Sequence, residues 1–310
     1  MFKNLNPGAL GVTGHQSEII ELALSFGFTS IDLNVVEFAM QARLKGVPYA
    51  RRLFDSAALK MGLKLGTFAF PFDWESDDET FAKEIKKLPE YAQAAVAAGC
   101  TRCVATLAPA SDARPYHENF EFHKRRFQEI CQVFEPAGVR FGIGFQAAEY
   151  LRKNRAFQFV HELDALTLLV NMVSSPCIGL SLDIWDIVVS GGSLDSVRKL
   201  PAEQIVAVQV ADLVAASNNG EIDEKSRLLP GVEGGRIDLP TFLVYLKTAG
   251  YDGPITPRPS RGIFQSRRRD MVVKQAGDAL DKVWRAAGLP NERRFVPSAA
   301  TLDYNIDFGA

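Results

Sequence analysis

Cysteine and histidine are both scarce, four of each in 310 residues, and the net charge is only −2 with histidine neutral. Four cysteines in a chain this long do not make a disulfide framework. Cys100 and Cys103 form a C-x-x-C, but no second pair accompanies them to complete a zinc site, so core packing is the plainer role. So few histidines exclude a His-rich multi-zinc centre. Lys and Arg (35) nearly balance Asp and Glu (37), and there is no basic tail, which leaves no field for nucleic acid. No apolar run is long enough to span a bilayer, so no membrane partner is expected. The segment Met1-Phe-Lys-Asn-Leu-Asn-Pro-Gly8 lacks the apolar stretch of a secretory signal, which makes a cytoplasmic location the default expectation. Nor does a Gly-x-Gly-x-x-Gly follow the first strand candidate, so a Rossmann sheet has little support.

The chain does have apolar residues in quantity, 47% against 23% charged, the balance of a globular protein with a large core. Strand candidates fall at 8–12, 29–36, 62–68, 102–107, 139–146, 177–183, 204–212 and 253–258. Helical spacing fills the intervals at 16–26, 37–61 with a break near Gly46-Val-Pro48, 76–98 opened by Ser76, 122–134, 157–172, 194–200, 239–248 and 265–287. Strict alternation implies a parallel sheet, and eight repeats over this length predict one closed (β/α)₈ barrel over 1–288. Residues 289–310 read as a tail that covers the barrel bottom or reaches a neighbouring subunit. The aromatic loop Ala69 to Glu75 reads as a lid, a pocket wall or a packed loop. A polar loop holding Asn218-Asn-Gly220 follows strand seven.

In such a barrel, ligands sit at the carboxyl ends of the strands. Those ends carry Asn34, Thr67, Thr106, Gln146, Asp183, Gln209, Asp212 and Arg258, and strand two places Asp32 and Asn34 on one face. The run Cys177 to Gly192 is the most informative. It begins as a buried strand and ends by delivering Asp183, with Trp185 and Asp186 just beyond. Asp183 is either an active-end carboxylate or the cap of the next helix. Asp186, three residues on, shares its helical face, so the two could share a proton; it could equally be a first-turn residue favoured by the helix dipole. His117 is the acid/base candidate after strand four, whereas His123 reads as packing and His15 as a loop residue. Arg258, Arg261 and Arg267 to Arg269 cluster after strand eight, where barrels often bind phosphate; the last three also read as a solvated helix face.

Several segments carry a resemblance. They are Gly138-Val-Arg-Phe-Gly-Ile-Gly144-Phe, Leu182-Asp-Ile-Trp-Asp186 followed by Ser190-Gly-Gly192, Val208-Gln-Val-Ala-Asp212, Leu229-Pro-Gly231 and Ala249-Gly-Tyr-Asp-Gly-Pro254. The chain resembles the sugar phosphate isomerase/epimerase family of xylose isomerase-like TIM barrels. That resemblance implies one divalent metal held by Glu, Asp, His and Glu from the last four strands, polarising a sugar while a proton moves between neighbouring carbons. Carried over position by position, the first Glu falls on Gly144, with Gln146 nearest on the same face. The Asp is kept as Asp183, the His falls on Gln209, and the last Glu falls on Arg258, before Pro259. The His that often follows the strand-six Trp is Asp186.

A hard divalent ion needs anionic or imidazole ligands, and Arg258 cannot be deprotonated. At about 4 Å and an effective dielectric near 20, each unit charge pair is worth ~4 kcal/mol, against the metal and in favour of an Arg258–Asp183 ion pair. The expectation is therefore a barrel without metal or other cofactor, acting on a small sugar or sugar phosphate by altered isomerase/epimerase chemistry. Asp183, Asp186 and His117 would be catalytic; Arg258, Gln209, Gln146, Asp212 and Trp185 would bind substrate. Alternatives are a non-catalytic carbohydrate-binding or regulatory barrel, and a metal site built instead from Gln146, Asp186 and Asp212. A homo-oligomer is compatible with the resemblance.

Overall fold

Eight short parallel strands close on themselves in the computed structural model, which describes residues 1–213 and 222–291. They are β1 (Phe2–Leu5), β2 (Ser30–Leu33), β3 (Lys64–Ala69), β4 (Arg102–Thr106), β5 (Arg140–Gly144), β6 (Ile178–Asp183), β7 (Ile205–Val210) and β8 (Pro254–Pro257). Each strand pairs with its sequence neighbours, and β8 closes on β1 through Phe2↔Pro254. Every residue of β6 is buried, as its uninterrupted apolar run implies. Register places Asp183 beside Gln209 and Gln209 beside Thr256, so β6, β7 and β8 end together at one mouth. Among the described residues no helix is long and apolar enough to cross a membrane.

The first strand is not at 8–12. Gly8 to Gly11 form turns, with Gly11 at φ 70°, and β1 lies earlier, in Phe2-Lys-Asn-Leu5. Lys3 and Asn4 give that segment the look of a polar tail. Both are in fact buried and paired: Lys3 Nζ meets Asp281 Oδ1 at 2.6 Å, and Asn4 donates to Asp32 and Thr256 inside the barrel. The helix expected at 122–134 runs from Tyr116 to Ala137, and the one expected at 157–172 begins only at Leu163. Phe157–Gln158 instead pairs antiparallel with Ala110–Ser111. The stretch 76–98 divides into Asp78–Glu84 and Leu88–Ala98 around a 3₁₀ turn, and the cap is Asp77, whose carboxylate accepts from Thr80 N at 2.9 Å.

The aromatic loop is packed. Phe70, Phe72 and Trp74 interlock with Phe81, Phe127, Phe134 and Phe141 at ring separations of 4.6–6.2 Å. All four cysteines are free and buried in the core. The start of the tail lies on the barrel bottom: Leu289 is buried, Pro290 O accepts from Trp284 Nε1 at 3.1 Å, and Asn291 accepts from Lys3. The rest of the tail, 292–310, and the Asn218–Gly220 loop lie outside the described residues.

Candidate functional site

Asp183 is both a helix cap and a mouth carboxylate. Its Oδ1 accepts from Trp185 N at 3.1 Å, opening the Ile184–Val189 helix. Its Oδ2 accepts from Arg258 Nη1 at 2.9 Å and from Arg227 Nη1 at 2.6 Å. Asp186 is one turn further on. Its Oδ2 accepts from Arg227 Nη2 at 2.6 Å and its Oδ1 from Ala147 N at 2.9 Å. The two carboxylates therefore share a guanidinium rather than a proton. Arg227 is 4% exposed, lies 4.3 Å from the Trp185 ring centroid, and has an Nε with no partner among the described residues. The expected Arg258–Asp183 pair is present; Arg227 is the residue that sequence reasoning missed. The signal available for it was a charge count, since two carboxylates beside a buried strand end had only one assigned cation.

Burial alone would raise the Asp183 pKa, but the Arg227 and Arg258 charges overcome it and hold the carboxyl below the usual carboxylate range. For Asp186, burial and the neighbouring Asp183 charge outweigh Arg227 and push the carboxyl up to about 6. Burial opposes the charge on Arg227, yet the two aspartates raise its pKa further. The cluster pairs two carboxylates with two guanidinium groups, and only Arg258 reaches the surface, at 30% side-chain exposure. Beyond it opens a pocket of about 530 Å³ lined by Ala9, Lys225, Arg258, Pro259, Ser260, Arg261 and Gly262. Three of those seven residues are cationic and none is acidic.

A family model described as xylose isomerase-like TIM barrel matches residues 20–282. The chain belongs to that family. A xylose isomerase domain protein from Alicyclobacillus acidocaldarius superposes with TM-score 0.80 at 25% identity, over 93% of this chain and 99% of that one. D-psicose 3-epimerase, in a structure determined in the presence of D-fructose, shares the fold with TM-score 0.70 at 12% identity, over 93% and 100% of the two chains. A 3-dehydroshikimate dehydratase from Pseudomonas putida is 30% identical over 149 residues, 47% of this chain and 22% of that protein. The chain thus matches less than a quarter of that curated relative's length.

Within this xylose isomerase-like barrel, the remaining expected residues separate. Gln146 and Gln209 are half-buried. Trp185, expected to bind substrate, is buried beneath Arg227 and donates from Nε1 to Ser226 O at 3.4 Å, so its ring is a platform for that guanidinium. Asp212 is buried too. Its carboxylate accepts from the backbone N–H of Leu213, Gly231, Arg236 and Ile237 at 2.8–3.2 Å and so folds the loop after β7; the structure engages the side chain expected to bind substrate with its own loop. His117 is exposed in the first turn of the Tyr116–Ala137 helix, apart from the Asp183 hydrogen-bond network. His123 is buried, bonded to Asn119 O at 2.9 Å and stacked on Phe159, the packing role expected for it. Arg269 pairs with Glu18 and Arg268 with Asp270, both at the surface, in keeping with a solvated face.

The resemblance carries the family's metal ligands onto Gly144, Asp183, Gln209 and Arg258; of these only Asp183 is anionic, and its carboxylate already accepts from Arg227 and Arg258, a set that does not suit a divalent cation. A Cβ at Gly144 would lie 3.0 Å from Ser181 O, a tight contact that a longer side chain could take only if the neighbouring backbone gave by a few tenths of an ångström. The substitute trio Gln146, Asp186 and Asp212 fares no better. Arg227 and Ala147 N occupy Asp186, and loop amides occupy Asp212. Among the described residues no group of three or more His, Cys, Asp or Glu is placed to hold a metal ion.

Proposed function

We propose that this barrel is a metal-independent enzyme of isomerase or epimerase type acting on a small anionic sugar, with Arg258 holding the anionic group. The observation that carries this reading is the orientation of Arg258. One face of its guanidinium is anchored by Asp183, and the rest meets a pocket that also carries Lys225 and Arg261. Arg227 neutralises much of the charge on Asp183 and Asp186 from behind, so Asp183 aims Arg258 without cancelling its field. Asp183 and Asp186 are therefore positioning residues; both are buried and already engaged, which argues against the proton-moving role expected of them. Arg258 supplies N–H donors to a carboxylate, a phosphate or the oxygen of an activated carbonyl. Gln146 and Gln209, half-buried after β5 and in β7 on either side of β6, supply neutral hydrogen bonds.

Dehydration is a second reading, favoured by the 3-dehydroshikimate dehydratase relative. Its named substrate is a hydroxylated ring carboxylate, which would use Arg258 in the same way. Dehydration and isomerisation both begin with loss of a proton from a carbon beside a carbonyl. A carbohydrate-binding barrel without turnover is separated from both by exchange chemistry.

The test is incorporation of solvent deuterium by sugar phosphates, sugar acids and 3-dehydroshikimate, followed by NMR with and without a chelator. The reading expects chelator-resistant incorporation for at least one anion. Arg258→Gln should weaken binding of that anion by roughly tenfold or more, the scale of a lost charge-assisted hydrogen bond. Turnover that appears only with added Mn²⁺ or Zn²⁺, or an unchanged affinity in R258Q, would reject it.

A further inference from the structure

The mouth has a second side, above β1, β2 and β3. There an open pocket of about 450 Å³ is walled by Asn6, His15, Asp32, Asn34 and Glu37, among others. These side chains both donate and accept hydrogen bonds, which suits a polyhydroxylated ligand better than an apolar or strongly charged one. Asp32 is the one that the barrel interior holds in place. Its Oδ1 accepts from Asn4 Nδ2 at 2.8 Å and from Thr67 N at 2.9 Å. Asn4 is fixed in turn by Thr256 Oγ1 at 2.9 Å and Ser30 Oγ at 2.8 Å. Gly66 leaves the room that Asn4 crosses, since a Cβ there would collide with the Asn4 amide. The whole arrangement spans four strands and ends in one half-buried carboxylate at the pocket wall.

We infer that this pocket binds the hydroxyl-bearing carbon chain of a sugar and that Asp32 is the catalytic residue that moves its proton. The inference deepens the proposed activity and rests on it for the reaction, though not for the binding. Asp32 carboxylate takes the proton from the carbon beside the sugar carbonyl. The C–H electron pair moves into the carbon–carbon bond, the carbonyl π pair moves onto its oxygen, and the two carbons with their oxygens become an enediolate. A hydroxyl proton crosses between the two oxygens, and Asp32 returns its proton to the former carbonyl carbon, so nothing else is consumed. Gly8 lines this pocket and Ala9 lines the Arg258 pocket, and the carbonyls of both accept from Arg261, so the two pockets lie on either side of one turn.

Asp32 suits that task. Its hydrogen-bond partners Asn4, Asn6 and Thr67 are uncharged, and burial outweighs them, pushing its carboxyl up to about 6. The ionisable groups around it are His15 and Glu37 on the pocket walls and Cys100 at the turn before β4. A satisfied core aspartate is the competing explanation. It accounts for the hydrogen bonds but not for the position in a polar pocket at the active end of the barrel.

The test uses D-fructose, D-xylulose and D-glucuronate as probes on the full chain, with binding read by saturation-transfer NMR and proton removal by deuterium incorporation in D₂O. The expected result is saturable binding of at least one probe, with incorporation rising through a limb near pH 6. In Asp32→Asn, which keeps an oxygen for Asn4 and Thr67, incorporation should fall by about a hundredfold or more while binding stays within about threefold. D32N exchanging like the wild type, or none of the three probes binding, would overturn the inference. The Arg258 reading is tested separately with inorganic phosphate. Phosphate binding that R258Q abolishes, in a protein that binds no probe, would leave that reading standing and remove this one.

Discussion

At the residue scale, Arg227 organises the β6 end of the mouth. Its guanidinium joins two carboxylates that would otherwise repel each other inside the protein. Arg227→Met should destabilise the fold by about 3–5 kcal/mol, the cost of leaving buried charges uncompensated, measured by urea denaturation at pH 7. Asp32 gives a prediction of opposite sign. Its folded-state pKa is raised from 3.8 to about 6, so the wild type is favoured below the unfolded pKa and loses that advantage as pH rises through 6. D32N should therefore gain stability relative to the wild type between about pH 4 and 6 and hold a constant margin above, at most roughly 3 kcal/mol for a shift of this size. A relative stability that stays flat with pH would contradict the assignment. Arg258 was legible because a cation falls where the resemblance puts an anionic ligand beside the retained Asp183. Arg227 was not, because it sits in irregular chain where neither periodicity nor strand position marks it.

At the element scale, strand ends and the loops beyond them do different work. Asp183 leaves β6 and caps the next helix while still meeting two arginines, so the two readings of that residue are one structure. Asp212 leaves β7 and gathers four backbone amides from its own loop. Asp212→Ala should loosen Leu228–Ile237, seen as faster amide exchange there, with a global loss of about 1–3 kcal/mol for the orphaned donors. β5 ends in Gly144, pressed against Ser181 O. Gly144→Glu should therefore cost about 1–3 kcal/mol as overpacking and should not by itself produce metal binding, checked by denaturation and by metal content after soaking in Mn²⁺. The strand signals read well where apolar runs were continuous, as in β6 and β7. They failed at β1, where Lys3 and Asn4 hid a buried strand and the apolar Gly8–Val12 imitated one.

At the scale of the whole molecule, the barrel separates stability from chemistry. Its lower end holds a buried Lys3–Asp281 pair that ties the first strand to the Arg269–Ala286 helix, together with the first residues of the tail. Lys3→Met removes that cation from Asp281 and should cost about 3–5 kcal/mol without changing ligand binding at the mouth, measured by denaturation and by probe NMR. The upper end carries two pockets of different character, one cationic beside Arg258 and one rich in amides and carboxyls beside Asp32.

The amino-acid sequence alone determined the alternation of elements, and with it the closed parallel barrel and the mouth where Asp183 and Arg258 meet. Those features follow from local periodicity and from the chemistry of single positions, which act over a few residues. Only the tertiary structure decided that Arg227 bridges Asp183 and Asp186, across 44 and 41 residues of chain. It also decided that Asp212 serves its loop, that Trp185 is buried under a guanidinium, and that Asn4 presents Asp32 to a pocket. Each of these depends on which groups lose water together. Burial strengthens charge and hydrogen-bond interactions between residues far apart in sequence, and no local pattern records that pairing.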